Sequence, residues 1–198
     1  MRLYLILLMF FLFISGCVST IPDKQTIFSD WQVHLDNQDS WKANGKLAFI
    51  SKKERHSANF TWQNNGGSST PDYKLKLTTF IGTQILSLVQ TNSHAQLDYD
   101  SKTFRDKNAQ NMLNRLTDLS FPLNDAPNWL KGRPDSAHIK YDNFERIMLA
   151  TIEDSQGDTW QVTYNNYVKN NGVWLPTKLN LERNDLKIKM QIHSWQFN

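Results

Sequence analysis

Residues 186–193 read Leu-Lys-Ile-Lys-Met-Gln-Ile-His, the plainest structural statement in the chain. Leu186, Ile188, Met190 and Ile192 alternate with Lys187, Lys189, Gln191 and His193, and the segment closes on Trp195 and Phe197. A period of two sends alternate side chains to opposite faces, so this is a strand with one apolar face and one wet face. The same period recurs upstream in Ala43, Gly45, Leu47 and Phe49, then in Ala58, Phe60 and Trp62, then in Tyr73, Leu75 and Leu77. Ile85 to Val89, then Ala95, Leu97 and Tyr99, and a short segment at Thr103 and Phe104 extend the series. Later come Ile139 with Tyr141, Ile147 with Leu149, Trp160 with Val162 and Tyr164, and Leu179 with Leu181. Half-buried strands at such close spacing predict an antiparallel meander of about ten or eleven strands.

Three helices are predicted beside them. Ile27, Phe28, Trp31 and Leu35 recur at helical spacing near residues 28–37, and Met112, Leu113, Leu116 and Leu119 form a stripe over 108–119. A shorter piece over 125–131 carries Trp129 and Leu130 and is stopped by Gly132 and Pro134. The fold class is therefore mainly β, with some α: one curled antiparallel sheet whose concave apolar face the helices cover.

The N-terminus has a different character. Arg2 precedes an apolar run from Leu3 to Ile14, too short for the roughly 20 residues that a membrane-spanning helix needs. A charged start and a short apolar middle describe a secretion signal. The run ends in Ile14, Ser15, Gly16 and Cys17, which looks like the lipobox of bacterial lipoproteins. Residues 1–16 are thus expected to be a cleaved signal peptide, 17–25 an acylated cysteine and tether, and 26–198 the folded domain. An ordinary signal peptide with an incidental cysteine, or an uncleaved short anchor, are the alternatives. Cys17 is the only cysteine, so the domain has no internal disulfide. Val18, where aspartate would retain many lipoproteins in the inner membrane, permits export to the outer one.

The charge balance argues for no specific partner. The formal net charge is +3, with no nucleic-acid motif. His34, His56, His94, His138 and His193 stand singly, without metal-site spacing. The pairs Asp98 and Asp100, and Asp135 and Asp142, lack any accompanying nucleophile elbow or phosphate loop, and Gly66 to Ser69 is followed by no helix. No catalytic group, cofactor or metal is expected, and an anchored hydrolase is disfavoured. Lys42, Lys46, Lys52, Lys53 and Arg55 form a basic stretch that reads as a solvated strand face or as a contact for an acidic carrier or anionic lipid.

Several strings give the chain a family likeness: Gly45 to Ile50 (GKLAFI), Phe60 to Gln63 (FTWQ), Leu77 to Gly82 (LTTFIG), Phe121 to Asn124 (FPLN), Trp129 to Pro134 (WLKGRP), Trp174 to Lys178 (WLPTK) and Ile188 to Trp195. In this order they resemble the outer-membrane lipoprotein LolB family. The resemblance implies an incomplete barrel with a helical lid around an apolar cavity. It further implies a monomeric receptor, lipid-anchored at the periplasmic face of the outer membrane. Such a receptor accepts acylated lipoproteins from the periplasmic carrier LolA and inserts them among the phospholipids of the inner leaflet. A lipoprotein of similar fold that carries some other amphiphile is the alternative.

A cavity for acyl chains needs an apolar, adaptable wall, and the chain has 7 Trp, 11 Phe and 5 Met to supply one. The candidates are Phe49, Phe60, Trp62, Leu75, Leu88, Met112, Leu116, Trp129, Leu149, Met190 and Ile192; for any one of them the alternative is ordinary core. A second candidate site is Phe80, Ile81 and Gly82, between two strand patterns where turns usually carry Asn, Asp, Gly or Ser. Two large apolar residues at a loop tip either pack under a neighbour or meet a bilayer or partner. By resemblance Ile81 takes the place of the aliphatic residue with which the family delivers lipoproteins to membranes. The family more often has proline and leucine where this chain has Phe80 and Ile81, which keeps the loop apolar and leaves its turn geometry open.

Overall fold

The alternating segments pair with one another in a single sheet. A computed structural model describes residues 27–66, 72–117, 121–154 and 156–197. Cys17, the signal segment, the tether, Ser68, Ser69 and Leu119 lie outside the described residues. The strands are β1 (Trp41–Ile50), β2 (Arg55–Asn64), β3 (Tyr73–Thr78), β4 (Gln84–Gln90), β5 (Ala95–Tyr99), β6 (Lys102–Asp106), β7 (His138–Tyr141), β8 (Ile147–Glu153), β9 (Thr159–Asn170), β10 (Val173–Arg183) and β11 (Leu186–Phe197). Their order is β6-β5-β4-β3-β2-β1-β11-β10-β9-β8-β7, antiparallel throughout. With β6 and β7 at the two edges the sheet is curled but unclosed, the incomplete barrel that the family resemblance implies.

The chain must travel from one edge to the other between β6 and β7, and that crossing carries α2 (Ala109–Leu116) and α3 (Ala126–Lys131). The third described helix, α1 (Trp31–Asp36), precedes β1 and packs on β10. Each helix is shorter than its apolar pattern. Phe28 is not in α1: its N–H donates to the Gly172 carbonyl at the β9–β10 turn (2.9 Å). Asn108 caps α2 through its side chain, which accepts from Asn111 N (3.0 Å). Gly132, at φ 78°, ends α3 in the left-handed region.

Bulges bend the sheet and reset its alternation. Between Asn44 and Gly45 the pairing steps from Ser194 to Ile192, which makes His193 the extra residue and returns Trp195 to the buried face. Gly45 sits at that bend because a methyl group there would overlap the Gln191 carbonyl and the Phe60 ring. Pro176 falls at another irregularity, where a missing N–H breaks no ladder; β10 therefore begins at Val173, well before the Leu179 and Leu181 alternation reveals it. A third irregularity, between Lys140 and Tyr141, overturns one expectation. Tyr141 pairs with Ile147 and Lys140 with Leu149, so Met148 is extra and Ala150 and Ile152 take the inner face. Leu149, paired with half-buried Thr163, lies on the outer face and is not a cavity residue.

Antiparallel order also fixes two ends. The β1–β2, β3–β4, β5–β6, β8–β9 and β10–β11 connections lie at one end; the β2–β3, β4–β5, β7–β8 and β9–β10 connections lie at the other. The chain reaches β1 from α1 at this second end.

Candidate functional site: a lidded apolar face and an exposed loop

On the concave face, Leu47 and Phe49 of β1, Trp62 of β2, Leu75 of β3, Leu181 of β10, and Ile188 and Met190 of β11 meet Phe121 and Trp129 of the crossing segment. The space between them is about 10 Å³, room for at most one water molecule. Of the residues singled out by sequence, Phe49, Trp62, Leu75, Trp129 and Met190 line this cavity. Phe60, Leu88, Met112 and Ile192 are buried in the same core, and Leu116 is half-buried against it. Leu47, Leu181 and Ile188 were legible as inward positions of alternating strands. Phe121 was not, because it lies in an irregular segment with no period.

The lid is held by a few buried hydrogen bonds. Trp129 donates its indole N–H to the Pro122 carbonyl (2.8 Å), and Tyr164 of β9 donates its hydroxyl to the Trp129 carbonyl (2.7 Å). Gln110 of α2 is buried and joins both halves of the lid, donating to the Phe121 carbonyl (2.9 Å) and accepting from Leu123 N (2.6 Å). Gln90 of β4 accepts from Ala109 N (2.8 Å) and so ties α2 to the sheet. On the α3 side, Lys131 donates to the Leu35 and Gln38 carbonyls (3.3 and 3.1 Å) and Arg133 grips Asp36 with two bonds of 2.8 Å. Burial lowers the Lys131 pKa, while Asp36 and Asp39 act in the opposite sense. Burial raises the Asp125 carboxyl to about 6, against the hydrogen bond from Asn128 and with the help of Asp135.

Phe49 also lines a second, open pocket of about 250 Å³, with Ala58, Leu77, Ile85 and Tyr99 as its apolar wall and Glu54, His56 and Ser57 at its rim. Its ring packs on Phe121 with 5.9 Å between centres. The pocket opens at the end of the sheet that carries the β3–β4 hairpin. There Thr79 N donates to the Thr83 carbonyl (2.8 Å), Gly82 N to the Thr79 carbonyl (3.0 Å) and Asn59 Nδ2 to the same carbonyl (3.1 Å). Gly82 closes the turn at φ 91°. The turn is thus well tied without proline, and it projects Phe80 and Ile81 outward, 90% and 73% exposed. No cluster of three or more His, Cys, Asp or Glu suited to a metal occurs among the described residues.

The sequence profile of the family described as "Outer membrane lipoprotein LolB" matches residues 39–195. The chain belongs to the LolB family. An "Outer-membrane lipoprotein LolB" of Pseudoalteromonas translucida (strain TAC 125) is 45% identical over 197 residues, covering 100% of this chain and 96% of the relative. One from Psychromonas ingrahamii is 30% identical over 199 residues, with 98% and 96% covered. Among solved structures, the chain is similar to a LolA superfamily protein from Nitrosomonas europaea (TM-score 0.54, 11% identity, 82% of this chain and 87% of that one). A putative outer membrane lipoprotein-sorting protein domain from Vibrio parahaemolyticus gives a TM-score of 0.52 at 9% identity, over 84% and 90%. At such identities these two show a shared fold only. The lidded face and the exposed Phe80–Ile81 turn are the two features of the described residues that bear on a role for the chain.

Proposed function

We propose that this protein is an outer-membrane lipoprotein receptor, not an enzyme, that takes acylated lipoproteins from the carrier LolA and releases them into the inner leaflet. Family membership supports the role. The observation that carries the mechanism is a concave face lined without interruption by apolar side chains yet almost completely filled by its own lid. Binding pockets for drug-sized ligands measure roughly 300–1,000 Å³, so acyl chains must displace Phe121 and Trp129 to enter. The lid is suited to displacement, because it joins the sheet through side-chain hydrogen bonds, the Arg133–Asp36 ion pair and packing, not through strand pairing. Acyl chains then replace lid aromatics against Leu47, Trp62, Leu75 and Met190, exchanging one apolar surface for another at small net cost.

Transfer needs no chemistry, only successive differences in affinity: carrier, then this cavity, then bilayer. Phe49 lines both the closed cavity and the open pocket at the loop end of the sheet, which gives the chains a way out toward Phe80 and Ile81. Those side chains can enter a bilayer at a favourable roughly 1.5–3 kcal/mol each for full burial. The domain itself is held there by acyl groups on Cys17, each buried methylene contributing about 0.8 kcal/mol. Cys17→Ala is expected to yield a chain of unmodified mass; acyl groups still seen by mass spectrometry would refute the anchor. The receptor reading is tested by adding the protein to LolA loaded with a labelled lipoprotein. Label moving onto this protein supports it; label retained on a competent carrier would favour a carrier of some other amphiphile.

A further inference from the structure

At the end of the sheet opposite the Phe80–Ile81 loop, two hairpins and the N-terminal segment bring aromatic and cationic side chains together. The β7–β8 turn projects Phe144, 61% exposed, whose ring lies 6.2 Å from that of Trp174 on β10. The Arg146 guanidinium carbon stands 4.9, 5.1 and 4.5 Å from the ring centres of Phe144, Tyr167 and Trp174, and Asp142 holds that guanidinium in place. The Lys169 ammonium also lies over the Trp174 ring, at 5.1 Å. Phe28, 45% exposed, lies flat on the β9–β10 tip, where any side chain at Gly172 would strike its ring. Gln32 of α1 donates to Glu145 of the β7–β8 turn (3.2 Å), so the three segments form one surface.

A hairpin tip ordinarily carries small polar residues. Here it carries an exposed phenylalanine beside a tryptophan with two cations over its ring, the residue mixture that settles at the boundary between lipid headgroups and acyl chains. We propose that Phe28, Phe144 and Trp174, with Arg146 and Lys169, form a second membrane-contact surface that seats the domain on the bilayer holding its own anchor. The inference rests on the reading of Cys17 as that anchor. The described chain begins at Ile27 on this surface, and the ten residues from Cys17 span at most about 33–36 Å. The surface is therefore the part of the domain joined most directly to the anchor. β1 has 10 residues, so at about 3.3 Å per residue the delivery loop stands roughly 33 Å away along the strands. A domain seated on Phe144 holds Phe80 and Ile81 toward the periplasm. The stretched tether is just long enough to let it turn over and present the loop.

The test uses the full acylated protein in vesicles of phosphatidylethanolamine and phosphatidylglycerol. With Cys17 acylated, Asn143→Cys or Asp185→Cys provides a single free thiol, the first beside Phe144 and the second at the loop end. A fluorophore at 143 is expected to be quenched several-fold more by headgroup spin-labelled lipid than one at 185. Adding Phe144→Ser with Lys169→Glu is expected to abolish that excess. Equal quenching at both positions, or more at 185, would overturn the proposal. So would a label at 143 that ignores the lipid and is shielded only when LolA is added, which would make the surface a protein contact. Protein that floats with vesicles but shows no excess at 143 removes this surface alone; protein that does not float removes the anchor reading as well.

Discussion

Trp62 and Trp129 line the same small cavity in different hydrogen-bonding states. Trp129 donates to Pro122, whereas the Trp62 indole N–H has no partner among the described residues. Leaving a buried polar group unpaired costs about 1–3 kcal/mol. Trp129→Phe orphans the Pro122 carbonyl, while Trp62→Phe removes a donor already unmet. The first variant is therefore expected to lose more stability in urea denaturation than the second, by about 1–3 kcal/mol; equal losses would show that the indole N–H does not distinguish them. At this scale the sequence was informative wherever alternation held. Phe49, Trp62, Leu75 and Met190 could be placed inward from the period of two alone. Leu149 could not, because one extra residue at Met148 reverses every side chain after it and leaves no mark in composition. Phe144 and Trp174 were invisible as a pair because they come from hairpins 30 residues apart whose register only the folded sheet sets.

Among the elements, the lid has a titratable group at the start of α3. Asp125 begins α3 with its carboxyl raised to about 6 by burial. A carboxyl with a folded pKa above its unfolded value near 3.8 stabilises the closed form most at pH below 4, and that contribution is lost as pH rises through 6. The α3 amides are therefore expected to exchange more readily at pH 7.5 than at pH 5, after correction for intrinsic rates, by an amount on the order of 1 kcal/mol. Asp125→Asn is expected to remove this dependence. Protection that does not change with pH in the native protein would contradict the assignment. Element identity was largely legible, since strands and helices have different periods. Extents were not: β9 and β10 run well past their alternating centres because Pro176 and the polar stretch at 165–170 hide them, and α1 yields Phe28 to the β9–β10 turn.

The whole molecule separates two tasks. In the proposed function, acceptance belongs to the lidded face, where acyl chains and lid aromatics would compete for the same wall. The same proposal gives delivery to a tight hairpin at one end, whose exposed Phe80 and Ile81 take no part in closing the core. Ile81→Glu should thus leave folding and acceptance intact while placing a charge where the bilayer must be entered. The measurement that tests this division follows a labelled lipoprotein from LolA to liposomes bearing either the native protein or Ile81→Glu, and scores label on the protein and label in lipid separately. Native protein is expected to pass the label into lipid, and the variant to accept it and hold it. Insertion by Ile81→Glu at the native rate, or a label that reaches lipid without first appearing on the protein, would contradict the account.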